Sequence, residues 1–195
     1  DDEDVVFLLH GVLATAGVFA PIETRLRAAG ILHIGSFSYQ PLRSVASLAA
    51  ELRREVRNLP PRARLHLVGH SLGGIVARYF AHEHTSVRVV STISLASPFH
   101  GTSVARWVPT VLARELSPSS PLLASLRDPT RQPRYVRHTS FVAADDVVCS
   151  PPSSAAFPFG EVIVVPDCGH NGLLFDPGVA DAVCARILAQ AAEAA

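Results

Sequence analysis

Three residues in this chain are of the types, and in the order, that acyl-transfer chemistry uses: Ser71, an acid at Asp145-Asp146, and His170. A serine hydroxyl is a weak nucleophile until a base takes its proton. An imidazole serves as that base when a carboxylate fixes its tautomer and balances the charge it gains. Each group follows a run of β-type residues, Leu65 to Val68, Tyr135 to Ala144 and Glu161 to Val165, so all are expected at strand ends. The serine is the best marked. After Leu65, Leu67 and Val68 the pattern breaks at Gly69-His70-Ser71-Leu72-Gly73-Gly74, then resumes as Ile75, Val76, Tyr79 and Phe80 at helical spacing. That is strand, sharp turn, helix. Gly69 and Gly73, two residues to either side of Ser71, lack the Cβ that would collide in such a turn. The helix that follows presents free N–H groups and partial positive charge to an anion forming beside the hydroxyl.

Donors for that anion are also expected near the start of the chain. Val5 to Leu9 reads as a strand buried on both faces, stopped by His10-Gly11. In an α/β sheet the carboxyl ends of the strands border the ligand crevice. Gly11 therefore lies where backbone can come close to a substrate, and the N–H of Val12 could point at its oxygen. For His10 a structural hydrogen bond is expected rather than a catalytic role.

The remaining elements must position these groups. Val18 to Ala29 reads as a helix with Ile22 and Leu26 on one face and Gly30 past its end, and Ile31 to Tyr39 as a strand. Val45, Leu48, Leu52, Val56 and Leu59 mark a second helix, with Ser44 as N-cap and Pro60-Pro61 beyond it. Its Arg53, Arg54 and Arg57 read as a solvated face. Val87 to Leu95 is another buried strand, running into Ala96-Ser97-Pro98-Phe99-His100-Gly101-Thr102. From 103 to 137, Val104, Trp107, Val108, Val111, Leu112 and Leu116 make an apolar stripe, and Leu122, Leu123 and Leu126 a shorter one. Such helices either roof a pocket or pack permanently on the core. The chain closes with a helix capped by Asp176, with Pro177 in its first turn and Val179, Val183, Ile187 and Leu188 facing inward. About six strands alternating with helices specify a mostly parallel, doubly wound sheet with helices on both faces. The expected organisation is a single domain over 1–195, with 103–137 as a cap-like insertion.

Composition narrows the class. With 195 residues, 48% of them hydrophobic and 17% charged, the chain can bury a two-sided core. Its net charge is zero, so neither a nucleic-acid partner nor an electrostatically held membrane surface is expected. No apolar run is long enough for a membrane span. Asp1 to Asp4 reads as a solvated end, and the absent initiator Met leads us to expect a processed or trimmed N-terminus, with no inference about compartment. His82-Glu83-His84 is not read as a metal site, because positions i and i+2 do not share a helix face and no third ligand follows. The three cysteines leave at least one unpaired. Cys149 and Cys168 flank the acid and the histidine, where a disulfide would brace both loops, but the odd count argues equally for buried thiols.

In sum of motifs the chain resembles the α/β-hydrolases, and among them the small bacterial lipases and esterases. His10-Gly11 is similar to their oxyanion loop, Gly69 to Gly74 to their nucleophile elbow, and Ala96 to Thr102 to a degenerate form of their Thr-Pro-x-x-Gly-Thr loop. Asp145-Asp146-Val147-Val148 and Gly169-His170 are similar to their acid and base segments, and the order is kept over nearly the whole chain. The resemblance implies a minimal version of that fold, without the antiparallel edge strands of larger members or their calcium site. It implies a triad of Ser71, Asp145 and His170, with the backbone N–H groups of Val12 and Leu72 as the oxyanion hole. Asp145 is chosen because family sequences usually read Asp, any residue, Val or Ile, then an apolar residue; Asp146 stays open. The implied activity is cofactor-independent hydrolysis of a small-molecule or lipid ester, by a monomer with at most transient contact with a lipid surface; the short, proline-broken 103–137 segment adds the expectation of short to medium acyl chains. No metal or cofactor is implied. Acyl transfer to another acceptor, thioester or amide cleavage, and a catalytically dead binding fold are the alternatives. The intact serine, acid and histidine argue against the last.

Overall fold

The computed structural model describes residues 3–12, 14–39, 43–84, 88–107 and 110–193. Expectations placed on Asp1, Val87, Val108, Pro109 and the side chain of Trp107 lie outside the described residues. Six strands, β1 (Asp4–Leu9), β2 (His33–Phe37), β3 (Arg64–His70), β4 (Val89–Leu95), β5 (Arg137–Ala143) and β6 (Glu161–Val165), form one sheet. All pairs are parallel and the order is β2-β1-β3-β4-β5-β6. Parallel neighbours cannot be joined by tight turns, so crossovers carry the helices onto the faces. These are α1 (Ala20–Ala28), α2 (Val45–Val56), α3 (Leu72–Glu83), α4 (Val111–Glu115), α5 (Pro121–Leu126) and α6 (Pro177–Glu193).

The period-two alternation of the strands divides the core. Val6, Leu8, Val68, Ile93 and Phe141 face α1 and α6, where they meet Ile22, Leu26, Val179, Val183 and Ile187. Val5, Leu9, Leu65 and Leu67 face α2 and α3, where they meet Leu48, Leu52, Ile75, Val76 and Phe80. Both faces of the central strands β1, β3 and β4 are covered, which is why they are rich in buried apolar residues, while β6 at the edge leaves Val162 and Val164 exposed. Ser44 caps α2 by accepting the Ser47 N–H at 3.2 Å, and Asp176 caps α6 by accepting the Val179 N–H at 2.9 Å.

Some expected boundaries move. The helix expected from Val18 begins as a 3-10 turn over Ala16–Phe19, and β2 is confined to His33–Phe37. Leu188, expected inward, is 41% exposed; the covered stripe of α6 ends at Ile187. Cys149, Cys168 and Cys184 are all buried free thiols, so no disulfide braces the two loops. In the 103–137 segment, a 3-10 turn (Ser103–Trp107), α4 and α5 replace the two expected stripes. Leu123 and Leu126 of α5 join the α2–α3 core, and Leu112 of α4 joins it from the other side of the segment.

Candidate active site

The chain runs from β1 outward to β2, then returns to β3 and continues to β6, so the winding switches between β1 and β3. A crevice opens beyond the carboxyl ends of strands at such a point. There β1 delivers His10 and Gly11, and β3 delivers Ser71.

Ser71 adopts φ +53° and ψ −119°, a conformation that costs a non-glycine residue about 1–3 kcal/mol. Backbone on both sides holds it there: its N–H donates to Leu95 O at 2.8 Å and its C=O accepts from Gly74 N–H at 3.2 Å. The flanking glycines are required by contact. A Cβ on Gly69 would stand 2.3 Å from the carbonyl carbon of Gly73, and one on Gly73 would stand 2.0 Å from Leu9 O. The β ladder also continues past the strands, through Ala96 N–H to Phe141 O, Ala144 N–H to Val165 O and Asp145 N–H to Cys168 O, all within 3.0 Å. These bonds bring the elbow, the Ala96 to Thr102 loop and the acid and base segments to one end of the sheet.

His170 makes its bond to Asp146, not to Asp145. Its Nδ1 lies 2.7 Å from Asp146 Oδ2, with the carboxylate side chain 1% exposed, whereas Asp145 is exposed. This corrects the choice of Asp145 made from the family pattern. The cause is a turn: Asp146 N–H reaches back to Ala143 O at 3.3 Å, placing Asp145 at the outer corner and turning Asp146 inward. The other oxygen, Asp146 Oδ1, accepts the N–H groups of Val148 at 2.9 Å and Cys149 at 2.7 Å. Burial pushes the Asp146 carboxyl up, but the His170 bond, the Cys149 amide, the His170 charge and the Val148 amide outweigh it and hold its pKa below the usual carboxylate value.

Ser71 and His170 line one cavity of about 590 Å3 with Gly11 and Val12. Val104, Ala105, Leu112, Ala113 and Leu116 from the 103–137 segment supply much of its apolar wall, with Leu174 and Phe175 opposite. No acidic or basic side chain other than His70 and His170 stands among the described residues lining it. Thr102 ties the loops beneath, donating its hydroxyl to Val148 O at 2.6 Å, and Glu115 fastens α4 by accepting the Val45 N–H at 2.8 Å. Of the expected oxyanion donors, Val12 lines the cavity beside Ser71, and Leu72 opens α3 directly after it.

Two neighbours of the site were not anticipated from sequence. His70 sends Nε2 to within 3.1 Å of His170 O, and since a carbonyl only accepts, Nε2 carries the hydrogen. Burial, reinforced by the nearby His170 charge, lowers its pKa to about 4, so the ring is neutral at neutral pH. Tyr39, just beyond β2, donates its hydroxyl to His10 O. The position of His70 beside Ser71 in the chain was the only hint of the first; a contact across 29 residues left none for the second. Among the described residues no group of three or more His, Cys, Asp and Glu gathers to hold a metal ion, and no helix is long and apolar enough to cross a membrane.

A family model for a thioesterase domain matches residues 5–87, from β1 through the helix after Ser71. No curated protein matches the chain. Among solved structures, Est1E from Butyrivibrio proteoclasticus superposes with a TM-score of 0.73 at 12% identity, covering 98% of this chain and 89% of its own. A thermophilic esterase from Thermogutta terrifontis superposes at 0.69 and 17% identity, covering 97% and 92%. A methylesterase from Arabidopsis does so at 0.62 and 17%, covering 95% and 99%. With its six parallel strands, its helices on both faces and a strained serine where β3 meets α3, the chain has the α/β-hydrolase fold.

Proposed function

We propose that this protein hydrolyses carboxylic esters through an acyl-enzyme on Ser71, with His170 as the base, Asp146 as its orienting carboxylate and the N–H groups of Val12 and Leu72 as the oxyanion hole. The observation that carries the reading is the part-buried 2.7 Å bond between Asp146 and His170, whose ring lines the same cavity as the strained Ser71. In this scheme Ser71 Oγ attacks the ester carbonyl as its proton passes to His170 Nε2. The tetrahedral oxyanion rests on the two N–H groups, and His170 then hands the proton to the departing alcohol. Water, deprotonated by the same imidazole, releases the acid. The 103–137 segment acts as the cap, and the uncharged wall favours an uncharged acyl chain of short to medium length.

Thioester cleavage by the same residues is the second reading, favoured by the family model over residues 5–87. Burst release of p-nitrophenolate from activated esters, beside matched acyl thioesters, separates the two. Ser71→Ala should keep the fold and lose activity by something like a millionfold, as losing a nucleophile does. A fluorophosphonate probe should label Ser71 alone. A Ser71→Ala protein that still turns over ester at a substantial rate would falsify the mechanism.

A further inference from the structure

We propose that His10 and Tyr39 form a clamp that aims the Val12 N–H at the oxygen of a Ser71-bound substrate, a positioning role that rests on the ester-hydrolase reading above. The Gly11 carbonyl and the Val12 N–H belong to one peptide unit. In a trans peptide they point in opposite directions, so whatever holds the carbonyl aims the N–H. His10 Nδ1 lies 2.8 Å from Gly11 O. A carbonyl only accepts, which fixes the imidazole as the Nδ1–H tautomer.

The bond matters because little else restrains this peptide. Among the described residues the other backbone donor to Gly11 O is Ala14 N–H, at a long 3.4 Å. Gly11 itself is free to rotate, having no side chain. A Cβ there would stand 3.1 Å from the Cβ of Ser71 and 3.1 Å from His70 Nδ1, so the backbone passes directly beside the nucleophile. Leu72, the other donor, is fixed by the first turn of α3. Val12 lies in a loop and needs to be aimed.

The imidazole is in turn held rigidly. His10 is 3% exposed and stacks on Tyr39, with ring centroids 4.3 Å apart and planes 12° from parallel. The Tyr39 hydroxyl donates to His10 O, so ring and carbonyl of the same residue are gripped together. Burial pushes the Tyr39 phenol up, keeping it a donor throughout the working range.

The test compares His10→Phe, His10→Asn and Tyr39→Phe by kcat and KM on p-nitrophenyl butyrate, with Tm recorded for each. Phe keeps the stacked volume and loses the donor; Asn loses the volume and places an amide N–H close to where Nδ1–H was. Removing an oxyanion donor costs about 10²–10³ in kcat, and misaiming it should cost roughly 10–100-fold with KM unchanged. His10→Asn should recover most of that loss, and Tyr39→Phe should lose a few-fold. Wild-type kcat in His10→Phe, or no advantage of Asn over Phe, overturns the clamp. If the unsubstituted protein cleaves no ester, the ester-hydrolase reading has failed, and nitrogen-15 NMR of its His10 still tests the clamp itself. A proton on Nδ1 supports it, whereas the Nε2–H tautomer overturns it.

Discussion

At the residue scale the Asp146 carboxylate is bound on both oxygens, Oδ2 by His170 and Oδ1 by the amides of Val148 and Cys149. Exchanging it for Asn keeps an acceptor for those amides and removes the charge that supports an imidazolium. Asp146→Asn should therefore lower kcat by roughly ten-thousandfold with little change in Tm, as tautomer control is lost. Asp145→Asn, at an exposed corner, should change kcat less than twofold. Steady-state rates of the two variants decide the matter, and a larger loss at Asp145 would overturn the assignment. Sequence brought both carboxylates to the same strand end and, by the family pattern, selected Asp145, whereas the bond to His170 comes from Asp146. A strand that alternates to its last residue puts the first acid in the site, whereas the four-residue turn from Ala143 to Asp146 hands that place to the second. Local sequence does not encode such a turn strongly, since neither Ala144 nor Asp145 demands a special backbone conformation.

At the element scale, the central strands were legible because burial on both faces makes near-continuous apolar runs, and the elbow was legible because its glycines are sterically forced. Polar residues hidden between elements were not. His138, wholly buried on β5, bonds Thr92 at 2.8 Å and Ser140 at 3.0 Å, while Arg78 of α3 reaches Thr92 and Gln132 and lies 4.8 Å above the Phe157 ring. Apart from Ser140, two residues along β5 from His138, the partners come from different elements, so no short window of sequence contains the set. The start of β1 shows the same principle with a measurable consequence. Asp4 takes Arg64 Nε and Nη2 at 2.8 Å each and His66 Nε2 at 3.0 Å, tying β1 to β3 at the end away from the cavity. Burial works against the ionised Asp4, but the His66 and Arg64 bonds and charges prevail and bring its pKa from 3.8 to about 2. A depressed carboxyl stabilises the fold fully above its unfolded pKa and loses that contribution as pH falls through the folded one. Asp4→Asn should thus lower Tm at neutral pH and remove part of the stability loss otherwise seen between pH 3.8 and about 2. Parallel Tm-against-pH curves for the two proteins, with no convergence in that window, would sink the assignment.

At the scale of the whole molecule, the 103–137 segment, as the cap in the proposed function, would decide how much of a substrate is taken from water. The 103–137 segment divides its work: Val104, Ala105, Leu112, Ala113 and Leu116 line the cavity, while Leu123 and Leu126 are anchored in the core beneath α2 and α3. The Glu115 bond to the start of α2 adds a second anchor. Helices of five and six residues, bounded by Pro118, Pro121 and Pro129, make a short fixed roof rather than a long hinged lid. The cavity of about 590 Å3 lies in the range of small-molecule pockets. Each methylene it covers contributes at most ~0.8 kcal/mol, or nearly fourfold in affinity, and the gain ends where the chain leaves the pocket. An opposing feature stands at the rim, where Val104, Val148 and Phe175 line the cavity and yet are 43%, 43% and 59% exposed. Those side chains could lie against the tail of a long ester or a lipid surface and carry the gain further. The anchored roof is the stronger constraint, because Leu112, Leu123 and Leu126 are packed in the core and Glu115 is bonded to the start of α2, whereas the rim residues are single side chains from three separate segments. Butyrate and octanoate esters should accordingly be cleaved faster than palmitate, with no jump in rate as the substrate passes its solubility limit. Palmitate fastest, with such a jump, would mean that the roof opens onto a lipid surface and that the rim, rather than the wall, sets the substrate.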